Sequence, residues 1–179
     1  MNINQNNEDS NGMQPGNRYV GNKLTSPPIS LYFNQEETDF YKASLELYGV
    51  DVSGPSYEGR VFINNPRADE NTPTNEESGY VGSYHIFGHN GCFGDEGHCE
   101  IPQRRSYDSR AKADAAPCYK SLDATMALKK VIESKNEIVV TVVPLAVRGG
   151  KMGEPKDIVH IDRIRINCYE NYVKLKKSG

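Results

Sequence analysis

Tryptophan is missing from the chain, and its 179 residues include only four cysteines and four methionines. Four cysteines are too few to staple a domain of this length, so a packed core rather than a disulfide scaffold must hold the fold. No apolar run approaches the roughly 20 residues needed to span a bilayer. The opening MNINQNNEDS has neither the basic nor the apolar region of a secretory leader. The expected location is therefore the cytoplasm, or outside the cell by export with a partner. Positive charge is not in excess: the net charge is -3 and the pI about 5.8. That argues against nonspecific binding to nucleic acid or to an anionic membrane, which needs a basic face. Hydrophobic residues make up 36% of the chain, a low share that fits a β-rich domain with long polar loops. There is no internal repeat.

Met1 to about Pro28 is rich in Asn, Gln, Gly, Pro and Ser, and its few apolar residues have no period. Such a segment buries too little surface to offset its ordering entropy, so residues 1–28 read as a disordered tail, either a linker or an arm that docks on a partner. Ile29–Phe33 reads as a first strand. In Phe40–Val50, Tyr41, Ala43, Leu45 and Leu47 alternate with Lys42, Ser44, Glu46 and Tyr48, the period of a strand with one buried and one wet face, although its Ala, Leu, Glu and Lys make helix the rival reading. Tyr57–Asn64 is a third strand, ended by Asn65-Pro66, and Arg67–Ser78 is a polar surface loop. Cys118–Leu122 is a short strand. Asp123 is placed to cap a helix over Ala124–Ser134, with Met126, Ala127 and Val131, and less cleanly Leu128 and Ile132, on its apolar side. Glu137–Leu145, rich in β-branched residues and nearly continuous, reads as a central strand. Ile158–Tyr169 is the last strand, with Ile164, Ile166 and Cys168 on one face and Arg163, Arg165 and Asn167 on the other. Residues 171–179 form a frayed basic tail.

The stretch Tyr80–Glu100, YVGSYHIFGHNGCFGDEGHCE, holds three of the four histidines and two of the four cysteines. Its first half is a strand that sends His85 and His89 to the same face. On a strand they stand roughly 13 Å apart, too far to share one ion at bond lengths of about 2 Å. Beyond it, Cys92 and Cys99 bracket a Gly-rich loop that also holds His98. Three readings compete: a Cys92–Cys99 disulfide; a zinc or copper site built from His89, Cys92, His98 and Cys99, whose thiolates and imidazoles suit those ions; and small buried residues that only shape the loop. A cysteine nucleophile has no third group here to orient a histidine base.

About seven short strands, long loops and one short helix give a mainly β chain, an antiparallel β-sandwich over residues 29–170. Three motifs in order, YEGRVFINNP, YVGSYHIFGH and YKSLDATMALKKVIESKNEIVVTVVPL, resemble the C-terminal domain of tyrosinase-type proteins, the polyphenol oxidases of the type-3 copper family. The GCFGDEGHC loop is similar to bacterial members of that domain. The resemblance implies a β-sandwich that packs on a helical dicopper domain, covers its entrance and holds it latent or stable. In some relatives one side chain of this domain lies over the copper site, and Tyr84, Phe87 and Phe93 are the candidates here. The dicopper site itself needs six histidines on a helical bundle, and this chain has four histidines in all. The expectation is a non-enzymatic accessory or interaction domain that requires no cofactor and has a protein partner such as a type-3 copper oxidase domain. The alternatives are a metal-handling domain, for copper or zinc, on the Cys92/His98/Cys99 loop, and a self-assembling structural subunit, a homo-oligomer.

Overall fold

The computed structural model describes residues 18–31, 40–88, 116–132, 137–148 and 153–170. In chain order they form β1 (Arg18–Val20), β2 (Leu24–Thr25), β3 (Ile29–Ser30), β4 (Phe40–Val50), β5 (Tyr57–Ile63), β6 (Tyr80–Ile86), β7 (Cys118–Asp123), α1 (Thr125–Ile132), β8 (Glu137–Ile138), β9 (Val140–Val147) and β10 (Arg163–Glu170). The strands pair antiparallel throughout. One sheet runs β1-β9-β5-β6 with β2 also on β9, a second runs β10-β4-β7, and β3 pairs with β8. This is the mainly β, antiparallel sandwich that the strand pattern predicts.

Strand β9 is buried from Val140 to Ala146, so both its edges must find partners inside the protein. One edge pairs with β5 from Tyr57↔Ala146 to Ile63↔Val140. The other pairs with β1 at Val20↔Leu145 and with β2 at Leu24↔Val142. Pro144 lies within this central strand, where a missing N–H is normally excluded. A strand residue points its N–H and C=O to the same side, and the Pro144 carbonyl accepts from the Gly21 N–H. The absent donor therefore falls where the chain passes between β1 and β2, and not in the ladder to β5. Asn64, at φ 54, ends β5. Its backbone N–H donates to the Val139 carbonyl at 2.8 Å, and its side-chain oxygen accepts from the Val139 N–H at 3.0 Å. This double contact interrupts the expected Glu137–Leu145 strand at Val139 and frees β8 to pair with β3.

The core lies between the two larger sheets. Ala43, Leu45 and Leu47 of β4 face Val61 of β5, Tyr84 and Ile86 of β6, and Val140 and Val142 of β9. On the other side of β5, Phe62 packs with Val143, Ala68 and Tyr80 under the 64–79 loop. Asp123 Oδ1 accepts from the Thr125 N–H at 2.9 Å and from the Thr125 hydroxyl at 2.6 Å, starting α1. Thr125 Oγ1 in turn accepts from the Ala43 N–H and ties the helix to β4.

Several expectations are corrected. The stretch read as a tail to Pro28 contributes β1 and β2 from residue 18 onward, and Tyr19 within it is 4% exposed. Residues 1–17 and 171–179 lie outside the described residues. The first predicted strand is a strand only at Ile29–Ser30 within the described residues. The helix turns Leu128 into the core and Met126 outward, because its inner side is set by the Thr125 contact with β4 and not by hydrophobicity alone. The last strand starts at Arg163. Ile158 and Val159 are buried outside any strand, Ile158 lying against Gly21, where a Cβ would come within 2.9 Å of it.

Tyr84 lies across its cross-strand partner Gly59, and a Cβ on Gly59 would sit 2.5 Å from Tyr84 Cζ. Gly59→Ala is expected to lower the unfolding free energy by about 1–3 kcal/mol through overpacking, read as a lower urea midpoint at unchanged slope. An unchanged midpoint would show that the ring can shift without cost.

Candidate functional site

His89, Cys92, His98 and Cys99, the predicted metal ligands or disulfide partners, lie outside the described residues, as does Phe93. Of that stretch, His85 is exposed on β6 opposite Glu58, whose carboxylate is held by Arg18 at 3.1 Å and Arg60 at 3.3 Å. Among the described residues, no three histidines, cysteines or acids gather as a metal site would require. Cys118 and Cys168 are free thiols, and burial raises the pKa of Cys168, which weakens it as a nucleophile. Tyr57 and Tyr84 meet edge to face at 5.9 Å in the core, with their hydroxyls 3.3 Å apart. Burial pushes Tyr57 up to about 12 and Tyr84 higher still, so both stay protonated near neutrality.

Polar chemistry gathers instead on the outer face of the β10-β4-β7 sheet. With Ala43, Leu45 and Leu47 turned inward, period two turns Lys42, Ser44, Glu46 and Tyr48 outward. Their partners on β10 are Tyr169, Asn167, Arg165 and Arg163, in that order. On the other side β7 brings Ser121 opposite Glu46 and Asp123 opposite Ser44. Tyr119 joins them from the exposed positions of β7.

Glu46 sits at the centre and is only 6% exposed. A buried carboxylate needs donors, and this one has them. Tyr48 donates its hydroxyl to Oε2, Ser44 Oγ donates to Oε1 at 3.3 Å, and the side chains of Asn167 and Tyr119 also bond to it. The Tyr48 bond is the main reason the Glu46 pKa is lowered, against the opposing effect of burial. The same bond raises the Tyr48 pKa. Ser44 Oγ also lies 3.4 Å from the Tyr169 hydroxyl.

Around this carboxylate the rings are held by cations. The Arg163 guanidinium stacks 4.5 Å from the Tyr48 ring centre, and Tyr119 lies 5.0 Å from the same ring at a tilt of 52°. Lys42 Nζ lies 6.0 Å above the Tyr169 ring. Tyr119 and Tyr169 remain 51% and 40% exposed. Beside this face a groove of about 490 Å³ runs between the starts of β4, β6 and α1, lined by Tyr41, Lys42, Tyr80, Asp123 and Met126 among others. Tyr41 and Met126 are exposed there. The arrangement has a buried acid, bonded to its neighbours, and exposed rings with cations lying over them.

The wet face of β4 and the arginine face of β10 are each legible from period two. Their junction is not, because sequence does not give the register that sets Tyr48 beside Arg163 and Glu46 beside Arg165.

Because the folded Glu46 pKa lies below its usual 4.5, the stability it contributes is present above the unfolded carboxylate value and lost as pH falls through the folded one. Tyr48→Phe removes the largest cause of the shift. The acid-side loss of stability should then be smaller and complete at a higher pH, and Glu46→Gln should abolish that part of the pH dependence. Urea midpoints measured from neutral pH downward check both, and superimposable profiles for wild type and Tyr48→Phe would refute the assignment.

No family model matches the chain, and no curated protein matches it. In structure it is similar to latent aurone synthase (polyphenol oxidase) from natural source, at 18% identity and a TM-score of 0.44 over 86% of this chain and 25% of that one. It is also similar to the recombinantly expressed latent enzyme, at 14% identity and a TM-score of 0.45 over 95% of this chain and 28% of that one. The chain thus spans about a quarter of the length of these polyphenol oxidase structures.

Proposed function

We propose that the chain is a non-catalytic interaction domain, a shielding or assembly module for a tyrosinase-type copper oxidase. The observation that carries this reading is the outer face of the β10-β4-β7 sheet, where exposed Tyr119 and Tyr169 and the stacked Arg163 surround a fully bonded Glu46. Tyrosine and arginine are the residues on which binding energy concentrates at protein interfaces. Here their rotamers are already fixed by hydrogen bonds and stacking, which lowers the entropy cost of docking. The ordered motifs that resemble the tyrosinase C-terminal domain give the class of partner. Of the side chains considered for lying over a copper site, Tyr84 is enclosed in the core at 4% exposure, whereas Phe87, at the end of β6, is 87% exposed and free to project.

The test is to titrate the purified chain into a tyrosinase-type catalytic domain lacking its own accessory domain, while following diphenol oxidation and binding heat. Saturable binding and a lowered rate are expected. Tyr119→Ala and Tyr169→Ala should each weaken binding by about 1 kcal/mol or more. Phe87→Ala should leave binding intact and restore much of the rate. Absence of both heat and inhibition would discard this reading.

A further inference from the structure

We propose that the outer face of the β10-β4-β7 sheet docks on the acidic surface of a partner protein, with Lys42, Arg163 and Arg165 receiving its carboxylates. The proposal rests on the interaction-domain reading only in needing a protein partner, and it adds the chemistry that partner must present. Among the described residues, no carboxylate lies within ion-pair distance of any of these three cations. Two acids of the same face are already engaged. Glu46 is bonded to Tyr48, Ser44, Asn167 and Tyr119, and Asp123 holds the start of α1. The face therefore offers an approaching molecule ammonium and guanidinium groups and phenolic hydroxyls, while its one central acceptor is enclosed.

The same geometry disfavours other occupants. A sugar would need bare ring faces, but Arg163 lies over Tyr48 and Lys42 over Tyr169. A nucleic acid draws its affinity from many phosphate contacts, and three cations on a chain of net charge -3 supply few. A second copy meeting this face about a two-fold axis would set the same cations against each other. A protein surface carrying a few carboxylates among apolar groups matches both the charges and the exposed rings.

The probes are an oligo-glutamate peptide and a single-stranded oligonucleotide of equal charge, each titrated into the full chain at low and moderate salt and followed by amide NMR shifts. Oligo-glutamate is expected to perturb β4, β7 and β10 together, more strongly at low salt. The double variant Arg163→Glu/Arg165→Glu should weaken this binding at least about tenfold. Charge reversal also removes the Arg163 stacking on Tyr48, so the melting temperature is measured alongside to confirm that the variant is folded, and Arg163→Lys/Arg165→Lys should recover much of the affinity. Shifts centred elsewhere, or an oligonucleotide bound as tightly at the same face, would overturn the proposal. Oligo-glutamate binding on this face without any effect on a copper oxidase would remove the oxidase reading and leave this one. An oxidase inhibited equally by wild type and by the charge-reversed variant would sink this proposal alone.

Discussion

A strand buried on both faces cannot leave backbone groups to water, and β9 imposes that demand on the rest of the fold. Its two edges draw in β5 on one side and both β1 and β2 on the other. That is how the short segments Arg18–Val20 and Leu24–Thr25 come to be ordered: they pair with β9 and add Tyr19 and Leu24 to the core. Pro144 fits because its missing donor faces the passage between those two short strands. The double contact of Asn64 with Val139 then ends the ladder and releases the chain towards β3.

The two main sheets are finished differently. The outer side of β5 and β9 is closed by the 64–79 loop over Phe62, Val143, Ala68 and Tyr80. The outer side of β4 is closed by a polar network around Glu46. Burying an ionised carboxylate costs several kcal/mol unless donors replace the lost water, and four neighbouring side chains do so here. The result is a surface whose aromatic groups are immobilised from beneath, the state in which exposed rings bind with least loss of freedom.

Much of the sandwich is legible in sequence because β4, β5, β6 and β9 carry either clean alternation or continuous β-branched runs. Those signals depend on burial, and burial is what formed the strands. β1 and β2 are missed because strands of three and two residues are too short to show a period, although Tyr19 is buried in the core. The inner side of α1 is misread at Met126 because Asp123 and Thr125 fix the helix rotation. The histidine and cysteine loop attracts attention by residue type, whereas the outer face of the β10-β4-β7 sheet is assembled from common residues such as Tyr48, Glu46 and Arg163. Their meeting depends on antiparallel register, which no single stretch of sequence encodes.

Strand β10 closes one end of its sheet and pairs only with β4 among the described residues. Among the described residues no strand pairs with its far edge, and open strand edges are what recruit strands from other molecules into aggregates. Arg163 and Arg165 alternate along it, and bringing two such edges together would crowd like charges at close range. Charges alternating along such an edge disfavour sheet extension between copies of the chain.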